Sequence, residues 1–131
     1  MKTRSRGRRL PEVLTVVEQN RILEQVNPKT ITGLRNTCII KIMLDAGLRV
    51  SEVINLRLRD IDLNTGKIMI REGKGKKDRA LWLRGETLEQ VQEWVSKKPE
   101  GEYIFTTLKG KQLNDRYIRQ LVDRVAVKAG I

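Results

Sequence analysis

The sequence predicts an α+β domain, mainly helical, with a small three-stranded antiparallel sheet. Apolar residues recur at three- and four-residue steps in both the first and last thirds of the chain, the period of a helix packed on one face. The middle behaves differently: from Ile61 to Leu83 short strand-like runs are separated by Asn64-Thr65-Gly66 and by a glycine-lysine turn. At 131 residues the chain fits one domain, long enough to bury roughly two thirds of its unfolded surface. Residues 1–9 stand apart as a basic arm or the remnant of an interdomain linker, and residues 10–131 form the domain.

Each element has its own signal. Thr15 followed by Glu18 is a capping box, and Val16, Gln19, Leu23 and Val26 share a helix face until Asn27-Pro28 stops it, so the first helix is expected over about Val16 to Val26. Ile31, Leu34, Cys38, Ile42 and Ala46 continue the helical step, while Ile39, Ile40, Met43 and Leu44 widen the apolar face until the segment looks surrounded. The second helix is therefore central. Gly47 suits the left-handed position that closes a helix, and Val50 to Leu56 makes two further turns with Val53, Ile54 and Leu56 inward. Three strands follow, at Ile61 to Leu63, Lys67 to Arg71 and Arg79 to Leu83. Leu88, Val91, Trp94 and Val95 mark another helix ending near Lys98-Pro99, and Tyr103 to Thr106 is a short extended piece. Asn114 caps a last helix with the face Ile118, Leu121, Val122, Val125 and Ala129, closed by Gly130.

Composition narrows the function. An excess of 27 Lys+Arg over 16 Asp+Glu gives +11, and setting aside the five basic residues among the first nine still leaves +6. Such a charge favours polyanions through counterion release, with nucleic acid the leading partner class. There is no histidine and one cysteine, Cys38, so imidazole chemistry and a zinc constellation are excluded; no metal and no small-molecule cofactor is expected. Cys38 lies among isoleucines and reads as a small core residue of a reduced compartment. The longest apolar run, Cys38 to Leu44, is interrupted by Lys41 and too short to span a bilayer, which points to a cytoplasmic protein without a membrane partner.

Two short stretches carry the chemistry. Asp45-Ala46-Gly47-Leu48-Arg49-Val50-Ser51-Glu52 places Arg49 at a sharp turn between helices, where a planar guanidinium can present two donors to two phosphate oxygens. The bland alternative is an exposed pair with Glu52, worth a few tenths of a kcal/mol. Gly73-Lys74-Gly75-Lys76-Lys77-Asp78-Arg79 would let a hairpin turn approach a nucleic-acid backbone, with Lys74 as general acid and Lys76, Lys77 and Arg79 on neighbouring phosphates. A lysine-rich turn also keeps a sheet edge soluble. Found together in one basic domain, the two elements favour convergence on a phosphodiester.

These residues bring a family into view. The chain resembles the catalytic domain of the tyrosine recombinases, or phage integrases, especially the Xer-like branch. Arg8-Arg9-Leu10-Pro11 with Leu14-Thr15 is similar to the start of that domain, Ala46 to Glu52 to its first arginine box, and Gly73-Lys74-Gly75 with Lys77 and Arg79 to its catalytic-lysine hairpin. Ile104-Phe105-Thr106, Ile118-Arg119 and Ala129-Gly130-Ile131 are similar to the stretch before the second box. The resemblance implies double-stranded DNA as partner, allows self-association on DNA, and makes Arg49 and Lys74 catalytic, with Lys76, Lys77, Arg79, Arg8 and Arg9 on the DNA backbone. It also implies that the histidine-x-x-arginine box, a later histidine or tryptophan and the nucleophilic tyrosine follow Ile131, so that this chain holds no nucleophile and alone does not cleave. Tyr103 and Tyr117 read as packing residues with their polar tips outward, and Trp82 and Trp94 as core or partial core. The competing reading is a helix-turn-helix regulator, with Gly47 in the turn and the following helix in a major groove; an RNA-binding or assembly role is allowed by charge but supported by no RNA motif.

Overall fold

Thr15 opens the first helix as its sequence requires: its side chain accepts from the Glu18 amide at 3.0 Å, and the Glu18 carboxylate accepts from the Thr15 amide at 2.9 Å. The computed structural model describes residues 13–71 and 77–131, and in it this helix, α1, spans Val16–Leu23. It ends earlier than the expected Val26. Ile22 is fully buried and Leu23 and Val26 of the expected face pack against the core, whereas Val16 is 72% exposed, so the expected face meets the core only toward its C-terminal end.

The second helix, α2 (Ile31–Ala46), is buried over nearly its whole length from Gly33 to Ile42. Gly33 is needed where it stands: a Cβ there would lie 1.7 Å from the Asn27 carbonyl oxygen, so the turn from α1 closes directly on the helix. Gly47 ends α2 in the left-handed region at φ +68°. A short helix, α3 (Val50–Ile54), follows, then a 3₁₀ turn over Leu58–Asp60. α3 is five residues rather than two turns. Val53 and Leu56 point inward as expected, and Ile54 is partly buried.

The sheet is smaller than expected. Strands β1 (Lys67–Ile70) and β2 (Arg79–Trp82) pair antiparallel, with Ile68 opposite Leu81 and Ile70 opposite Arg79. The expected first strand at Ile61 to Leu63 makes only an isolated bridge, Ile61 to Ile68. Leu58–Asp60 occupies the approach to it, and the Asp62 carboxylate accepts the Asn64 and Thr65 amides in a local turn, so the chain leaves the ladder after one contact. Tyr103 to Thr106 is likewise extended but joins the fold through bridges, Arg57 to Tyr103 and Thr106 to Gln112.

Helices α4 (Gly85–Lys97) and α5 (Asp115–Ala129) complete the molecule. Asn114 caps α5 through the Tyr117 amide at 2.8 Å, and Gly130 closes it at φ +77°. The whole expected face of α5, Ile118, Leu121, Val122, Val125 and Ala129, is buried, and α2 packs against α4 around Trp94. The Trp94 indole donates to the Ile104 carbonyl at 2.8 Å, which satisfies its one polar atom in the core. Trp82, by contrast, is half exposed on the sheet, with the Lys67 ammonium 5.7 Å from its ring centroid.

Arg35 is the unexpected core residue, only 4% exposed. Its guanidinium donates to Asn36 Oδ1 at 3.1 Å, to the Thr106 carbonyl at 3.1 Å and to the Tyr117 hydroxyl at 2.5 Å. The tip of Tyr117 thus faces inward, not to solvent as its place on the helix suggested, because a buried guanidinium without acceptors costs several kcal/mol.

Cys38 is fully buried, and desolvation pushes its thiol up to about 12. The native protein is therefore expected to be inert to a thiol-specific reagent at pH 8, with full reaction only on addition of denaturant; rapid labelling of the folded chain would contradict this packing.

Candidate nucleic-acid interface

The turn that Gly47 makes puts Arg49 at the cap of α3, with its side chain exposed. Five residues are about one and a half turns and carry little macrodipole, so the attraction for anions comes from the guanidinium itself. Glu52 forms no ion pair with that guanidinium, whose charge acts on it only at longer range. Its carboxylate accepts the Arg49 backbone amide at 2.9 Å and receives both terminal nitrogens of Arg79, at 2.9 and 3.0 Å. The fork from Arg79 holds the Glu52 carboxyl below its ordinary range, helped by the Arg49 amide and opposed by burial. β2 is thereby bonded to α3 at the residue where the arginine turn begins.

The same device recurs at the 3₁₀ turn. Asp60, its side chain 6% exposed, accepts the Arg57 amide at 3.1 Å and Arg71 Nε at 2.8 Å. Arg71 immediately follows β1 and also approaches Asp78 at 3.6 Å. Both strands of the hairpin are therefore tied, one by Asp60 and one by Glu52, to the segment that carries Arg49.

Between these ties lies a cleft of about 470 Å³ lined by Arg49, Arg57, Arg59 and Arg71, with Glu52, Asp60, Asn55 and Met69 also on its walls. Arg57 is held by Glu102 at 3.2 Å and lies over the Tyr103 ring, 5.2 Å from its centroid, with the Tyr103 hydroxyl 3.4 Å from Nη2. Tyr103 thus orients a cleft arginine. Among the described residues no three histidine, cysteine or carboxylate groups are arranged to hold a metal ion.

Of the residues singled out in the sequence, Arg49 lines the cleft, Lys77 is exposed at the start of the segment leading into β2, and Arg79 faces Glu52. Lys74, Lys76, Arg8 and Arg9 lie outside the described residues. Arg57, Arg59 and Arg71 escaped sequence reading. A weak signal existed for Arg57: arginine followed three places later by an acid, the spacing at which an acid caps the preceding amide, occurs at 49 and 52 and at 57 and 60, but also at 9 and 12, 21 and 24, and 59 and 62. The helix-turn-helix alternative fares poorly, since α3 is too short to fill a groove and its flanking Asn55 is bonded to the Ser51 carbonyl and to Gln112.

The family model described as the phage integrase family matches residues 12–131. The chain is 34% identical over 128 residues to tyrosine recombinase XerA of Thermococcus kodakarensis, covering 95% of this chain and 44% of that protein. It is 32% identical over 136 residues to tyrosine recombinase XerC of Proteus mirabilis, covering 100% of this chain and again 44% of the relative. The chain thus spans less than half the length of these curated relatives. Among solved structures, the XerH site-specific recombinase bound to difH substrate in a pre-cleavage complex superposes with a TM-score of 0.72 at 30% identity, over 92% of this chain and 37% of that one. The crystal structure of XerA recombinase gives 0.76 at 24% identity, over 99% and 46%, a likeness of fold.

Glu52→Gln should cost about 1.5–3 kcal/mol at pH 7, because the neutral amide loses the charged fork from Arg79. Since the folded carboxyl sits below its ordinary value of 4.5, its stabilisation is complete above that pH and is lost as pH falls through the lower folded value. Melting temperatures of the two proteins should therefore differ at pH 7 and converge below pH 4.5; a gap independent of pH would rule out the charged clamp.

Proposed function

Because the chain belongs to the phage integrase family, we propose that it forms the DNA-holding portion of a site-specific tyrosine recombinase of the Xer-like branch, acting in the cytoplasm on double-stranded DNA. What supports this most is the arginine-lined cleft built around Arg49. In it Arg49 grips two non-bridging oxygens of one phosphodiester, the group on which negative charge develops during strand transfer. Lys74, on the stretch between Arg71 and Lys77, serves as general acid toward the leaving oxygen, and Lys76, Lys77, Arg79, Arg8 and Arg9 add charge along the backbone. In the intact recombinase these groups act in strand cleavage and rejoining, with self-association on the DNA.

The chain by itself binds without cutting. It has two tyrosines, and both hydroxyls are engaged: Tyr117 with Arg35 and Asn36, Tyr103 with Arg57. Neither is among the residues that line the cleft at Arg49. Without a covalent nucleophile the route through a phosphotyrosine is closed.

Fluorescence anisotropy on a labelled duplex tests the reading. The logarithm of affinity should fall linearly with the logarithm of salt, and Arg49→Ala should weaken binding about tenfold and reduce the slope by about 0.9, one phosphate's share. Scrambled duplex should compete as well as any other, and a suicide substrate should yield no covalent adduct. An Arg49→Ala effect no larger than that of Lys97→Ala, on the outer face of α4, would count against the proposal.

A further inference from the structure

The four arginines of the cleft divide into two kinds. Arg57 and Arg71 are committed to partners, Glu102 and Tyr103 for one, Asp60 and Asp78 for the other. Among the described residues, the guanidinium groups of Arg49 and Arg59 donate no hydrogen bond and form no ion pair, although the charge of Arg49 acts at longer range on the Glu52 carboxylate. Arg49 has its role in the proposed function; Arg59 has none there.

Arg59 nonetheless stands on fixed ground. It lies inside the 3₁₀ turn, whose backbone is held by Leu58 N to the Glu102 carbonyl at 2.7 Å and Asp60 N to the Arg57 carbonyl at 2.8 Å. The neighbouring acid is already occupied, since Asp60 accepts from the Arg57 amide and from Arg71. Arg59 is an exposed side chain carrying about 2 kcal/mol of rotamer entropy, fixed at its root and lining a cleft with three other arginines, and among the described residues no hydrogen bond or ion pair orders it. Four arginines against the two carboxylates of Glu52 and Asp60 leave the cleft lining with a net positive charge that an anion would meet. At about 470 Å³ the cleft falls within the range of small-molecule pockets, roughly 300–1,000 Å³, and leaves space beyond a single phosphate.

Resting on the DNA reading of this cleft, we propose that Arg59 is a second backbone seat, binding the phosphate next to the one held by Arg49 on the same strand. Successive phosphates of a strand are about 3.4 Å apart along the duplex axis, so two arginines lining one cleft, one from the start of α3 and one from the 3₁₀ turn, would set the path of the strand through it. Arg57 and Arg71 shape the walls and Arg49 and Arg59 touch the ligand.

The test compares Arg49→Ala, Arg59→Ala, Arg59→Lys and the double alanine variant with Arg124→Ala, an exposed control on α5, by anisotropy titration of the same duplex across salt. Arg59→Ala should reduce the salt slope by about 0.9 and the affinity about tenfold. The double variant should lose about twice that slope, and Arg59→Lys should keep the slope while losing part of the affinity, because the charge remains and the fork does not. If Arg59→Ala matches Arg124→Ala while Arg49→Ala weakens binding, the second seat is wrong and the DNA reading stands. If Arg49→Ala also matches the control, the reading beneath it falls. Circular dichroism should show Arg59→Ala melting with the unaltered chain; should it not, Arg59→Lys carries the decision, an affinity equal to that of the unaltered chain overturning the seat.

Discussion

Glu52 is bonded from two directions at once, by the amide at the start of α3 and by the guanidinium of Arg79 on β2. That double acceptance fixes the geometry of everything charged around it. It joins a five-residue helix to a two-stranded sheet, neither of which is large enough to be stable alone. Asp60 repeats the arrangement eight residues later with Arg57 and Arg71. The two acids frame a cleft at this edge of the domain, pairing with Arg71 and Arg79 and leaving Arg49 and Arg59 outside those ion pairs.

Beneath this frame lies an apolar platform. α2 is central, flanked by α4, while α1 and α3 lean on α5. Gly33 and Gly47 set the two ends of α2, one by admitting the Asn27 carbonyl and the other by reversing the chain. Since α2 is buried from Gly33 to Ile42, the position of Arg49 just beyond its end is inherited from the core itself. Arg35, Asn36 and Tyr117 pin α2 to α5 by hydrogen bonds within that core.

Local signals were readable in the sequence, and distant ones were not. The Thr15–Glu18 cap, the burial of α2, the closures at Gly47 and Gly130 and the face of α5 each follow from residues within a few places of one another. The sheet lost a strand because Asp62 bonds its own neighbours, a competition that alternating hydrophobicity does not register. Glu52 was placed beside the correct residue but bound its amide, with the guanidinium supplied from 27 positions away. Arg57, Arg59 and Arg71 look like ordinary solvated charges until the two acids gather them around Arg49. Likewise, nothing around Tyr117 in the chain announces that its hydroxyl answers a buried arginine 82 residues earlier.

The separation between strut arginines and unencumbered ones has an evolutionary reach. Residues such as Arg71 and Arg79 are bound into the architecture, so altering them disturbs folding before it disturbs recognition. Arg59 carries no such obligation: lineages could exchange it for lysine, serine or glutamine at negligible thermodynamic penalty, retuning grip strength while the scaffold persists. Diversification among descendants of this chain should therefore concentrate at Arg59 and spare the struts, and Arg49 with them.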